Sequence, residues 1–174
     1  MIHYSTDYVF DGKKSAPYTE NDKPSPKTVY GKSKFKGELA LKAHSNRHTI
    51  FRTSWVYGLV GNNFANTILS LAMRRQRIEV VADQFGVPTN TDFICKATLS
   101  WLEKLSCNTD HYNRRELFNL VPDGGTSWYD FAKYLMEGLR SQGVNLTSGR
   151  NDLCLLYTSP SPRDATLSRM PSSA

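Results

Sequence analysis

Hydrophobic and polar positions follow two rhythms along this chain. Short runs rich in apolar and β-branched residues, at 1–5 (the tail of a strand), 48–54, 78–82 and 116–121, have the composition of strands, and 48–54 suits a buried sheet. Between them, apolar residues recur at helical spacing: Phe35, Leu39 and Ala43 within 27–43; Phe64, Ile68, Leu71 and Ala72 within 64–75; Ile94, Thr98, Trp101 and Leu105 within 92–105. A last helix is predicted over 128–141. Pro26 precedes the first helix, Asn62 or Asn63 caps the second, Asp92 starts the third and Ser127 caps the last. Pro17, Pro24 and Pro26 make 11–27 a loop, and Gly86 and Pro88 do the same for 83–91. Strands and helices therefore alternate, which predicts an α/β fold with a largely parallel sheet. The rhythm stops near residue 146. Ser159-Pro160-Ser161-Pro162 and the run from Met170 read as disorder, so 146–174 is expected to be a disordered, non-native tail.

Composition narrows the class. The 174 residues suffice for one domain with a real core, and 39% of them are hydrophobic. No run approaches the ~20 apolar residues of a membrane span, and the first residues have neither the basic nor the apolar region of a signal peptide. Cys95, Cys107 and Cys154 are odd in number and scattered, which fits a reducing cytoplasm better than a disulfide framework. Cys95, on a helix face, reads as core filler. The four histidines show no metal or triad spacing, and no carboxylate cluster marks a metal site. The net charge of +6 gathers at Lys27, Lys32, Lys34 and Lys36 and at Arg74, Arg75 and Arg77. These groups read as solvated helix faces rather than a nucleic-acid surface.

The stretch with most chemistry is Tyr30-Gly31-Lys32-Ser33-Lys34. Tyr30 and Lys34 lie four residues apart in a predicted helix, so both side chains fall on one face. An ammonium beside a phenol favours the phenolate. A tyrosine so placed can give a proton to a carbonyl under reduction or take one from an alcohol under oxidation. Taken alone, Thr6-Asp7 reads as a turn, Tyr4 and Tyr8 as strand packing, and Trp55 as a core aromatic.

Five stretches in order change that reading: 4–12 (YSTDYVFDG), 30–34 (YGKSK), 51–57 (FRTSWVY), 61–65 (GNNFA) and 83–89 (DQFGVPT). Over about residues 1–145 the series resembles the dTDP-4-dehydrorhamnose reductase family of the extended short-chain dehydrogenase/reductase superfamily. The resemblance implies the C-terminal part of a Rossmann-like parallel sheet plus a small α/β sugar-nucleotide-binding lobe. Residues 1–57 would be the remnant of the NAD(P)-binding domain carrying the catalytic residues. Residues 58–145 would be mostly the substrate lobe, interleaved with late Rossmann elements. It implies Tyr30 as proton donor to the C4 oxygen of a keto sugar, Lys34 as the cation that activates it and bonds the nicotinamide ribose, and Thr6 as a hydroxyl on the reacting oxygen. Thr6, Asp7 and Trp55 would contact a dTDP-sugar, with Asn63 and Gln84 on its nucleotide side and Tyr4 lining the dinucleotide site. NADPH or NADH is the implied cofactor, a homodimer the implied assembly, and neither nucleic acid nor membrane is an expected partner. The superfamily's glycine-rich βα turn for the dinucleotide pyrophosphate has no counterpart here, so a fragment without activity of its own is expected. Two other readings are a non-catalytic module like the regulatory subunit of methionine adenosyltransferase, and another sugar-nucleotide epimerase or dehydratase.

Overall fold

The computed structural model describes residues 1–14, 16–107, 114–149 and 152–156. Its centre is a parallel sheet of β1 (Ile2–Thr6), β2 (His48–Thr53) and β7 (Arg115–Asn119), in the order β1-β2-β7. All six residues of β2 are buried, as a central strand covered on both faces requires. Helix α1 (Val29–His44) joins β1 to β2 and lies on the face that carries Ser5 and Arg52, where its Glu38 meets both. Helix α3 (Thr91–Cys107) covers the opposite face: Thr98 pairs with the Tyr4 hydroxyl, Trp101 Nε1–H donates to Thr49, and the Trp101 ring meets Phe118 edge-on. Among the described residues β1 pairs only with β2, so its outer edge is open.

A second layer forms around α2 (Phe64–Arg74) and α4 (Trp128–Ser141). They pack on a parallel pair, β4 (Ile78–Val81) with β9 (Leu153–Leu156). Their shared core is Ile68, Ala72, Ile78, Val80, Ala132, Met136 and Leu153. Each large side chain fully buried there contributes about 1.5–3 kcal/mol. Two pairs of two-residue strands complete the connections: β3 (Val56–Tyr57) with β6 (Thr89–Asn90), parallel, and β5 (Phe85–Gly86) with β8 (Thr126–Ser127), antiparallel.

The predicted α/β alternation is borne out, and the four long helices lie within a few residues of their predicted bounds. Three expectations are corrected. The stretch from 146 is not disordered throughout: Leu146 packs on the second core, Ser148 is buried, and 153–156 form β9 with Leu153 in the core. Four residues of β-prone sequence without periodicity gave no signal until β4 was there to pair with them. The remaining tail residues lie outside the described set. Leu39 is 48% exposed and Ala43 is also exposed, so they do not form the buried stripe of α1; that face buries Gly31 and Glu38 instead. Phe35 is half-buried against Val9, Phe10 and Tyr18. Cys95 is exposed rather than core filler, and all three cysteines are free thiols.

Candidate functional site

Thr6 ends β1 in extended conformation and caps a short 3-10 turn, Asp7–Val9. Its Oγ1 accepts the Tyr8 N–H at 3.3 Å and donates to Asp7 Oδ1 at 3.0 Å. Burial pushes the Asp7 carboxyl up to about 7, against the opposing pull of the Thr6 hydroxyl and the Tyr8 N–H. Burial also raises the Tyr8 phenol, and the charges of Asp7 and Tyr30 add to it.

Helix α1 starts directly over this turn. Thr28 caps it by accepting the Gly31 N–H at 3.0 Å. Gly31 lies so close to the Tyr8 carbonyl that an added Cβ would sit 2.2 Å from its oxygen. This contact fixes the first turn of the helix against the end of β1. Tyr30, in that turn, meets the Tyr8 ring edge-on at 5.7 Å and stays 55% exposed. One turn on, Lys34 Nζ donates to the Tyr4 carbonyl at 2.6 Å, two residues before Thr6. A further turn on, Glu38 is wholly buried: its Oε1 accepts from Ser5 Oγ at 2.5 Å and Arg52 Nε at 2.9 Å, and its Oε2 from Arg52 Nη2 at 2.7 Å. Burial alone would raise the Glu38 carboxyl, but the hydrogen bonds of Arg52 and Ser5 and the guanidinium charge hold it below its ordinary value.

A second group gathers where the chain leaves β2. Trp55 has φ 42°, the one non-glycine residue with positive φ among those described. Such a backbone costs about 1–3 kcal/mol and persists where surroundings hold it. Ser54 Oγ donates to the Val87 carbonyl at 2.8 Å, and Thr89 N–H to the Trp55 carbonyl at 3.2 Å. The Trp55 indole stacks on Trp128 with centroids 3.4 Å apart and planes 8° from parallel. Trp128 is the first residue of α4, and its N–H donates to the Gln84 carbonyl. Phe64, Phe131 and Tyr57 extend the aromatic group.

The structure thus brings Thr6, Asp7, Tyr30, Lys34 and the Tyr4 backbone together at the carboxyl end of β1. It sets Trp55 at the end of the neighbouring strand, two residues past Thr53, the register partner of Thr6, and the buried Gln84 bonds the Trp128 that stacks on Trp55. In open α/β sheets ligands bind outside these strand ends. The Tyr4 ring turns toward α3, with its hydroxyl 2.7 Å from Thr98 Oγ1. The Asn63 amide is engaged at both ends: Oδ1 caps α2 on Asn66 N–H, and Nδ2 donates to the Gly58 and Gly61 carbonyls. A cavity of about 460 Å³ between Met1, Thr49 and Leu105 opens at the opposite, amino end of the strands. Sequence reasoning missed Tyr8, Glu38, Arg52, Gly86 and Trp128 as parts of the site; an Arg in a buried strand was the one signal that pointed to a hidden carboxylate.

Residues 1–168 match the RmlD substrate binding domain family. The chain is 41% identical over 162 residues to a dTDP-4-dehydrorhamnose reductase of Shigella flexneri, covering 93% of this chain and 53% of that protein. A dTDP-4-dehydrorhamnose reductase structure from Clostridium acetobutylicum superposes with a TM-score of 0.73 at 32% identity, covering 99% of this chain and 53% of that one. A Bacillus anthracis dTDP-4-dehydrorhamnose reductase in complex with NADP superposes at 0.70 with 30% identity, over 98% of this chain and 60% of that one. The chain spans about half the length of the curated relatives it matches. With its order of elements, the position of Tyr30 and Lys34 over β1 and this match along nearly all its length, the chain belongs to the RmlD substrate binding domain family.

Proposed function

We propose that this chain is the proton-transfer and sugar-nucleotide-binding part of a NAD(P)H-dependent reductase that converts dTDP-4-dehydro-6-deoxy-L-mannose to dTDP-L-rhamnose. The observation that carries the reading is an exposed phenol and an ammonium one helical turn apart, held by Gly31 and the Tyr4 carbonyl at the strand end that bears Thr6. Tyr30 gives its proton to the C4 oxygen of the ketone. Thr6, whose hydroxyl is already oriented by Asp7 and the Tyr8 N–H, hydrogen-bonds the same oxygen. Asp7, Trp55 and Gln84 shape the sugar-nucleotide side, and Asn63 acts through the loop it pins.

The family's reductases, among them a relative solved with NADP, suggest NADPH or NADH as hydride source. The residues fit its nicotinamide end: Lys34 presents a donor to the Tyr4 carbonyl, and Tyr30 an exposed ring against Tyr8, past the carboxyl end of β1. When bound, the nicotinamide supplies the hydride to C4. Lys34 would hold its ribose, and Tyr4 would line the site. Residues 1–57 form the remnant of the dinucleotide-binding domain, and 58–145 mostly the sugar-nucleotide lobe, with α3 and β7 returning to the first sheet. Three free cysteines, two of them exposed, fit a cytoplasmic enzyme, and the bare Leu39 and Ala43 face of α1 offers a surface for a homodimer. Thr6, Tyr30 and Lys34 are all present, which favours a reductase over a non-catalytic regulatory subunit.

The test joins this chain to the N-terminal half of the Shigella flexneri reductase and follows NADPH oxidation with the keto sugar. The fusion is expected to turn over. Tyr30→Phe within it is expected to cut kcat by about 10²–10⁴-fold with sugar-nucleotide affinity nearly unchanged. An active Tyr30→Phe fusion refutes the proton donor, and a folded but inactive native fusion refutes the reading.

A further inference from the structure

Trp55 is enclosed on both of its faces. Trp128 covers one, at 3.4 Å and nearly parallel, which is close to full overlap. Gly86 covers the other. A Cβ built on Gly86 would stand 2.4 Å from Cε2 and 2.7 Å from both Cζ2 and Nε1 of Trp55. A point nearest the middle atom and equally far from its two neighbours lies above the ring plane, not beside its edge. It cannot lie on the Trp128 side, because Trp128 would then be its nearest neighbour, and the three nearest atoms all belong to Trp55. The indole therefore sits in a slot between a glycine backbone and a second indole. The slot is held from three directions: the Trp55 backbone by Thr89, the preceding Ser54 by Val87, and Trp128 by the Gln84 carbonyl and the Phe64 ring. Inside it, the Trp55 N–H makes no hydrogen bond to any described residue, and the residue remains only partly buried.

We propose that Gly86 and Trp128 are positioning residues that turn Trp55 edge-on to the sugar of a bound sugar nucleotide, so that Trp55 acts through its indole N–H and ring edge and not as a stacking platform. This rests on the proposed function, and it says how the sugar is told from its surroundings. A stacking tryptophan needs a bare face and tolerates replacement by another aromatic ring. A donor held edge-on selects for an acceptor at one place, and losing it leaves that acceptor without its partner.

The test titrates the full chain with dTDP-L-rhamnose and with dTDP in a calorimeter, and records circular dichroism over the strong far-ultraviolet indole band without ligand. The native chain is expected to prefer dTDP-L-rhamnose and to give an exciton couplet from the stacked indoles. Trp55→Phe, which keeps a ring but no N–H, is expected to bind dTDP-L-rhamnose roughly three- to tenfold more weakly, the worth of one hydrogen bond, with dTDP unaffected. Gly86→Ala and Trp128→Leu are expected to abolish the couplet and cause the same sugar-specific loss with the Trp55 side chain intact. Trp128→Phe, which restores a flat partner, is expected to recover the sugar preference. Undiminished sugar preference in Trp55→Phe overturns the edge-on contact, and undiminished preference in both Gly86→Ala and Trp128→Leu overturns their positioning role. A native chain that binds both ligands equally overturns the sugar contact while sparing the proposed function; one that binds neither overturns both.

Discussion

Substituting Glu38 tests what holds helix α1 to the sheet. Glu38→Met leaves the Arg52 guanidinium charged, 3% exposed and without its carboxylate. Arg52 Nη1 already has no hydrogen-bond partner, its nearest compensation being the Phe10 ring at 5.0 Å. Removing one member of a buried pair costs about 3–5 kcal/mol, because the survivor stays desolvated and unpaired. At this chain length that is a fall in Tm of roughly 6–20 °C. Arg52→Met should cost a similar amount. The double variant Glu38→Met/Arg52→Met should cost much less than the sum, since an apolar pair leaves no charge behind. Urea melts at pH 7 followed by far-ultraviolet circular dichroism give the three values. The pH dependence has a definite sign. The folded Glu38 carboxyl titrates below its ordinary value, so its contribution is complete above ~4.3, where the unfolded group ionises, and is lost as pH falls through the lower folded value. Single substitutions that each cost under about 1 kcal/mol, or a double variant as costly as the sum, would refute the idea that the pair fastens α1.

Two further outcomes follow from the same contacts. Gly31→Ala places a methyl 2.2 Å from the Tyr8 carbonyl oxygen, and backbone cannot yield as a side chain would; about 1–3 kcal/mol of stability should be lost in a urea melt, with a shift of the Tyr8 and Tyr30 ring resonances. Asp7 carries the opposite linkage to Glu38: with its folded value raised to about 7, the folded state holds a proton that the unfolded state releases from ~3.9 upward. Its share of stability should therefore fall between about pH 4 and 7 and level off above, and that slope should vanish in Asp7→Asn; an unchanged slope would mean that the carboxyl titrates normally.

What was legible in the sequence follows from which forces leave a local pattern. The long elements were readable because their periodicity reflects burial on one face. Phe64, Ile68, Leu71 and Ala72 do line the α2 core, and the run at β2 is buried at every residue. The two-residue bridges were not readable, because β5 and β8 exist only through each other. Strand β9 likewise waited on β4. Tyr30, Lys34 and Thr6 were singled out through ordered motifs rather than burial. Trp128 lay outside every motif, and only the fold brings it onto Trp55, seventy-three residues away in sequence.

The misread face of α1 has a cause that bears on function. An apolar stripe would have let this helix slide and rotate over β1 and β2 at little cost, since hydrophobic contact is non-directional. The contacts made instead each admit one register: Gly31 on a carbonyl oxygen, Lys34 Nζ on another, and Glu38 bonded to Ser5 and Arg52 on two different strands. They are spaced along the helix at successive turns, so they fix both its rotation and its height over the sheet. A proton donor misplaced by about 1 Å loses on the order of 10²-fold in rate. For a helix proposed to aim Tyr30 at a ligand beside Thr6, directional bonds serve better than area, and their polar side chains are the reason a search for apolar periodicity points at the wrong face.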